Sequence, residues 1–167
     1  LVARLRALPG DEQRVAEALR WVQDEIRYFS VSLGESSHRP YAPAEVVQRR
    51  YGDCKDKSYL LVTLLRELGI EAAPVLVSLR SGQTVARMAP SPELFDHVVV
   101  RVRVGGTDHF LDPTRLGQRG ALAQMGMTLE GTQGLVVEPA TRDLVVLSSP
   151  NARHIATHEL REVFTLA

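Results

Sequence analysis

The chain of 167 residues has few thiols, no net charge and no long apolar run. Cys54 is its one cysteine, so an internal disulfide is excluded. Lysines and arginines number 20, as do aspartates and glutamates, and a neutral chain gives no electrostatic reason to expect nucleic acid or an anionic membrane as a partner. No apolar run approaches the ~18 residues that a spanning helix needs, so we expect no membrane insertion by this chain. Apolar residues make up 44% of the sequence, which is ample for the core of a globular protein.

The length predicts one principal domain with a piece of another. The sequence starts at Leu1 without a methionine or a signal-like segment, so we expect it to be part of a longer protein whose other domains are its partners. We assign residues 1–150 to the principal domain. Residues 151–167 include an alternating stretch, and we expect them to form a C-terminal strand or the start of a following domain.

Helical spacing dominates the first part of the chain. Apolar residues recur at intervals of three and four over residues 11–28, which predicts an amphipathic helix with Asp11 as its N-cap. Glycine and prolines break the next stretch, which predicts a long irregular connection and then a short helix from Pro43. A leucine-rich stripe follows Cys54 and ends before Gly69. This pattern predicts a mostly buried helix that begins at Cys54 and is capped by Gly69.

Strand patterns dominate the second part. Residues 70–79 are rich in β-branched side chains, residues 80–93 read as a loop, and residues 94–104 alternate from Val98 onward. We therefore expect a buried strand, then a half-buried strand, and then a glycine turn with a returning strand that stops at Pro113. Two more short strands are predicted after the glycine-rich stretch. Because helices precede strands, the order favours an α+β fold with a segregated antiparallel sheet over alternating βαβ units.

The single thiol lies in the polar segment "YGDCKDKS", one turn before the leucine stripe begins. A free cysteine is most often a small buried residue, but a thiol that only fills the core would lie among the leucines. A position at a helix start favours the thiolate through the unpaired N–H groups and the helix dipole. Lys55 and Lys57 could add positive charge, although a solvated face is the expected place for both. An imidazole nearby in space would complete an activated nucleophile.

His97 and Asp112 are the candidates to complete such a site, and the geometry of the hairpin decides whether they meet. With a two-residue turn at Gly105 and Gly106, Val99 lies opposite Asp112, which becomes the diagonal neighbour of His97 on the same face. A four-residue turn would separate them further, and a three-residue turn would place them on opposite faces. Taken singly, each has a plain structural explanation, as a strand histidine and as a turn carboxylate.

The stretches "YGDCKDKSYLLVTLLRELGI", "FDHVVVRV" and "HFLDPT", in this order, resemble the transglutaminase-like superfamily. The resemblance covers roughly residues 11–115 and is best with a bacterial branch in which a β-rich domain precedes the core. It implies a papain-like α+β fold with the nucleophile helix packed on an antiparallel sheet. It also implies a Cys54–His97–Asp112 triad that transfers acyl groups from peptide or protein amides, without metal or organic cofactor. For location, it suggests the bacterial envelope.

The resemblance leaves the oxyanion hole open, because a side chain must supply a second donor besides the Cys54 N–H. Tyr28, Gln48 and Tyr51 are the candidates. Asp53 and Asp96 are interpreted as local hydrogen-bonding residues, and Asp56 as a possible cap of the nucleophile helix. His154 and His158 have a spacing that could hold a metal on a helix, but their segment alternates like a strand, and they are interpreted as surface residues.

Two other functions compete with a cysteine enzyme. The domain could be a non-catalytic module that binds or scaffolds peptides and retains the fold. It could also hold zinc at Cys54, His97 and Asp112, but their separations do not resemble the short paired spacings of structural zinc sites. Within the enzyme hypothesis, hydrolysis and amine transfer differ only in the acceptor, which the sequence does not reveal.

Overall fold

The computed structural model describes residues 1–30, 38–149 and 161–165. Helices dominate its first half, in the order α1 (Val2–Arg6), α2 (Asp11–Glu25), β1 (Arg27–Tyr28), α3 (Pro43–Arg49), β2 (Tyr51–Gly52) and α4 (Cys54–Glu67). Strands follow, in the order β3 (Ala72–Val77), β4 (His97–Val104), β5 (Thr107–Leu111), β6 (Gln133–Val136) and β7 (Val145–Val146). Helices before strands is the predicted order, and the α+β class is confirmed.

The helix termini differ from the predictions in two places. Gly10, not Asp11, is the N-cap of α2, and Asp11 is its first residue, where a carboxylate favours the helix dipole. The helix ends at Glu25 instead of residue 28, because Ile26 is extended and leads into β1. No pattern in the sequence predicted the pairing of β1 with β2, which is parallel. At the other end of the helical half, Gly69 has φ +78° and follows the C-cap of α4, as predicted.

The main sheet has five strands in the order β5-β4-β3-β6-β7, and every neighbouring pair is antiparallel. One buried cluster joins the helices to β3, β4 and β5 through Leu61, Ala72, Val100 and Leu111. A second cluster forms around Val75 and Val99. The half-buried pattern predicted for β4 is therefore wrong in its middle. Residues 99–102 are all buried, because β4 lies between two strands and carries apolar packing on both faces.

The C-terminal strand or following domain was predicted for residues 151–167, of which the structure describes residues 161–165. Residues 161–165 are exposed and irregular, whereas residues 151–160, with His154 and His158, lie outside the described residues. The boundary at residue 150 therefore stays a prediction. In the described ranges, no helix combines the length and apolar character needed to cross a bilayer.

Candidate active site

Cys54 is the first residue of α4, and a capping box formed by Asp53 and Asp56 holds the start of this helix. The carboxylate of Asp53 accepts hydrogen bonds from the N–H groups of Lys55 and Asp56, and Asp56 in turn accepts from the N–H of Asp53. Both aspartates therefore act locally, as predicted. Capping of this kind satisfies donors that would otherwise be orphaned at the helix start. It fixes the orientation of the first turn and leaves the Cys54 thiol at the N-terminal end of the helix.

Asp56 anchors this turn to its surroundings. Its carboxylate is 3% exposed and accepts a 2.7 Å hydrogen bond from Arg49, with a second from the N–H of Tyr41 at 2.8 Å. Gly52 must pass close by, since an added Cβ would lie 2.7 Å from the Cβ of Asp56. The glycine in "YGDC" is thus required by this close approach, and the thiol is held on a rigid support.

The glycine hairpin brings His97 and Asp112 together. Gly105 and Gly106 both have positive φ, at 57° and 81°, as a two-residue turn of the primed type requires. Val104 pairs with Thr107 and the ladder continues to Val100 and Leu111, which is the register of the two-residue alternative. As a result, Nε2 of His97 lies 3.0 Å from Oδ2 of Asp112.

The second oxygen of Asp112 and its backbone carbonyl are also bound. Oδ1 accepts from the N–H of Thr114 at 2.9 Å and from its hydroxyl at 2.6 Å. The carbonyl accepts from Nε2 of Gln23 at 3.0 Å. Gln23 is 1% exposed and was missed in the sequence analysis. Its spacing could have revealed it, because it lies four residues after Leu19 within the apolar stripe of α2.

The electrostatics favour a protonated His97. Burial alone would lower the pKa of its ring, but hydrogen bonds and charges from Asp112 and Cys54 outweigh burial and raise the pKa to about 9. Burial likewise acts to raise the pKa of Asp112, but hydrogen bonds from His97 and Thr114 hold it below the ordinary value. Because Asp112 faces Nε2, Nδ1 is the nitrogen left for the thiol. Cys54 is partly exposed, so a reagent can approach it from solvent.

The three oxyanion candidates occupy different environments. The pKa of Tyr28 is raised, first by burial and next by the charge of Cys54, so the phenol lies within electrostatic reach of the sulfur. Gln48 is exposed on α3. The ring of Tyr51 packs edge-on against Phe29, with ring centroids 5.6 Å apart. Since the charge of Cys54 acts on the phenol of Tyr28, we propose Tyr28 as the donor.

The two lysines after the thiol are not on a solvated face, and that prediction is wrong. Lys55 forms an ion pair with Asp53. Lys57 is 0% exposed, and its Nζ donates to the backbone carbonyl of Ile26. Burial lowers the pKa of Lys57 to about 8, against the charges of Asp112 and Asp24, which raise it. The reason is helical periodicity, because Lys57 lies one turn before the leucine stripe and on the same side of α4.

Within residues 1–30, 38–149 and 161–165, no group of three or more His, Cys, Asp or Glu side chains is arranged to hold a metal ion. The zinc hypothesis for Cys54, His97 and Asp112 therefore gains no support from the described part of the chain.

A family model described as the transglutaminase-like superfamily matches residues 1–113. This range is about two thirds of the 167 residues. The chain belongs to the transglutaminase-like superfamily. This is a general family of cysteine acyl-transfer proteins, and the match does not select an activity within it. No curated protein matches the sequence.

The fold of this transglutaminase-like chain is also similar to solved structures. A candidate protease from Parabacteroides distasonis is 12% identical, with a TM-score of 0.64 over 89% of this chain and 28% of that chain. A candidate cysteine protease from Cytophaga hutchinsonii is 21% identical, with a TM-score of 0.46 over 62% of this chain and 31% of that one. A TGase is 16% identical, with a TM-score of 0.45 over 71% and 33%. The chain thus spans about a third or less of each relative's length. The first comparison supports the papain-like α+β core.

Proposed function

We propose that this chain is a cysteine enzyme that transfers acyl groups from peptide or protein amides through a thioester on Cys54. One observation carries the proposal. The His97 ring is bound by Asp112 at 3.0 Å and also interacts with Cys54 at the start of α4. A partly exposed thiol, a charged imidazole and an orienting carboxylate together match the roles of a nucleophilic triad.

In the acylation step, the Cys54 thiolate attacks the amide carbonyl carbon, and the π electrons of that carbonyl move onto its oxygen. The Cys54 N–H and the Tyr28 hydroxyl stabilise this oxyanion. The tetrahedral intermediate collapses as the C–N bond breaks, and the His97 imidazolium donates its Nδ1 proton to the leaving nitrogen. The products are a thioester on Cys54 and free ammonia or an amine.

In the second step, His97 is neutral and acts as the base. It takes a proton from water or from an incoming amine, which attacks the thioester and expels the thiolate. Asp112 stays ionised throughout and keeps the ring oriented. Water gives a peptidase or amidase, and an amine gives a crosslinking enzyme, so the acceptor alone separates the two activities.

The test combines peptide turnover with labelling of the thiol. A peptide library is incubated with the protein, with and without a labelled primary amine, and mass spectrometry reports cleaved, deamidated and amine-bearing products. Cys54→Ala should abolish turnover while the fold persists, and His97→Ala should do nearly the same. Asp112→Ala should leave a residual rate. Asp96→Asn is the matched control, because Asp96 neighbours His97 but binds the N–H of Leu79.

Two results would reject the enzyme. Turnover that survives in Cys54→Ala would remove the nucleophile. Alkylation of Cys54 by iodoacetamide that slows below about pH 8, as for an ordinary thiol, would favour the non-catalytic peptide-binding module. An activated thiol should still react fast at about pH 6.

The domain organisation forms part of the proposal. Residues 1–150 make up the transglutaminase-like domain, and residues 151–167 form a C-terminal strand or the start of a following domain. The substrate and partners of the whole protein are proposed at the level of a peptide or protein amide. A chain truncated after residue 150 should unfold in urea at the same midpoint as the full chain, and a lowered midpoint would contradict the boundary.

A further inference from the structure

Lys57 is a fully buried charge that the reaction steps above do not use. It lies on the first turn of α4, three residues after Cys54, and its side chain is 0% exposed. A buried ammonium ion costs free energy unless polar groups compensate it. Its hydrogen-bond acceptor is the backbone carbonyl of Ile26. The charges that reach it from packed elements are Asp112 after β5 and Asp24 on α2.

A leucine at position 57 would fill the same buried space without the free-energy cost of burying a charge. The stripe of α4 continues from Lys57 into Leu60 and Leu61, both of which are buried, so an apolar side chain here would extend the core without burying a charge. It would, however, leave the Ile26 carbonyl without this donor, and Ile26 is itself 0% exposed. The lysine therefore supplies a hydrogen-bond donor to the buried Ile26 carbonyl. The position of Ile26 in the chain indicates what this bond holds in place.

Ile26 links α2 to β1, and it precedes Tyr28 by two residues. β1 has only two residues. Backbone hydrogen bonds hold it to β2 and to the residue before β2, from the Arg27 N–H to the Arg50 carbonyl and from the Phe29 N–H to the Gly52 carbonyl. Lys57 adds a direct tie between the chain entering this strand and α4. One side chain thus connects the turn that carries the thiol with the strand that carries the phenol.

We infer that Lys57 is a positioning residue, which holds the Ile26 carbonyl and thereby sets the Tyr28 hydroxyl at the oxyanion site beside Cys54. The inference rests on the proposed function, because the oxyanion exists only if Cys54 attacks a carbonyl. Lys57 touches no reacting atom. Its effect passes through Tyr28, so the two residues should act as one unit.

The test compares two reactions of the same sulfur. Attack on p-nitrophenyl acetate acylates Cys54 through a tetrahedral oxyanion and releases p-nitrophenolate. Iodoacetamide alkylates the sulfur by displacement of iodide, forms no oxyanion and has no use for Tyr28. Lys57→Met should slow acylation by roughly tenfold to a hundredfold, somewhat below the range for loss of a whole donor, while the alkylation rate and its pH profile stay unchanged.

A double-mutant cycle shows the route of the effect. Lys57→Met combined with Tyr28→Phe should acylate no more slowly than Tyr28→Phe alone. Lys55→Met is the matched control, because Lys55 pairs with Asp53 within its own helix start, and it should keep the wild-type rate. If the methionine variant unfolds below the assay temperature, Lys57→Gln enters the same cycle, because its amide nitrogen lies one bond closer to the backbone and is expected to fall short of the Ile26 carbonyl.

Three results would overturn the inference. Acylation at the wild-type rate in Lys57→Met would remove any role. Additive losses in the double variant would mean that Lys57 does not act through Tyr28. A parallel fall in alkylation, with a shifted pH profile, would mean that its charge acts on the thiol or on His97 through Asp112. If the wild type itself shows no Cys54-dependent acylation, the proposed function fails. If the wild type acylates and one of the three results above is found, only the role of Lys57 fails.

Discussion

Replacing Asp112 by asparagine should lower the pKa of His97 by about 2 units. The carboxylate raises that pKa through a 3.0 Å hydrogen bond and through its charge, and it lifts the ring from 6.5 to about 9 together with Cys54. Asparagine keeps the size of the side chain but removes the charge. Burial, which lowers the pKa, remains. At 1.36 kcal/mol per unit, the lost stabilisation of the imidazolium is about 2.7 kcal/mol.

The sign of the linked stability follows from the same shift. A pKa raised on folding stabilises the native state fully below 6.5, and this contribution is lost as pH rises through about 9. The pKa of Asp112 is lowered on folding, so its contribution is present above its ordinary value and is lost in acid. The variant should therefore lose most free energy of unfolding at about pH 6, and less at about pH 10.

The assay is an NMR titration of the histidine ring signals, with urea unfolding at both pH values. His109 gives an internal control, because burial lowers its pKa and Asp112 is not among the charges that act on it. Asp108→Asn is the matched variant, since Asp108 acts on His109. It should leave His97 unchanged and lower the pKa of His109 further. A His97 pKa that stays at about 9 in Asp112→Asn would refute the reasoning, since the raised value would then have another source.

Three further substitutions are tested by urea unfolding, two in the support of the site and one in the packing of β6 against β3. Asp53→Ala removes the cap of α4 and should cost about 1 kcal/mol; an unchanged midpoint would contradict the capping role. Arg49→Met should lower the free energy of unfolding by about 2 kcal/mol. This is below the range for a fully buried ion pair, because two backbone N–H groups still bind Asp56. A gain in stability would contradict the anchoring role of Arg49. Gly134→Ala places a Cβ 2.7 Å from Cγ1 of Val75 and should cost about 1–3 kcal/mol, and a neutral result would show that β6 can shift.

The sequence predicted most of what local rules and periodicity determine. Helix α4 starts at Cys54 because an aspartate cap precedes a periodic leucine stripe, and both features are visible in the letters. The hairpin register follows from two adjacent glycines that accept positive φ. Counting paired residues back from the turn in that register predicts the contact between His97 and Asp112, although they lie 15 residues apart in the chain.

Features that depend on distant packing were missed. Nothing local in "RY" or "YG" predicts that Arg27–Tyr28 and Tyr51–Gly52 pair as short parallel strands, because only the folded path brings them together. β4 alternates as a half-buried strand should, yet its middle is buried on both faces. The sequence gives the period of a strand, but burial depends on which elements cover each face. The choice of Tyr28 among the oxyanion candidates has the same dependence on the fold.

Lys57 shows where a local rule and a periodic rule conflict. Composition places two lysines and two aspartates around the thiol and predicts a solvated segment, whereas the stripe through Leu60 and Leu61 extends backward onto Lys57 and predicts burial. Periodicity prevails, and the lysine is 0% exposed. A charge kept on a buried face at a cost in stability is the kind of inconsistency that marks functional sites. Its acceptor at Ile26 leads to the strand of Tyr28, so the residue that the composition misplaces is the one that connects the thiol's helix with the candidate oxyanion donor.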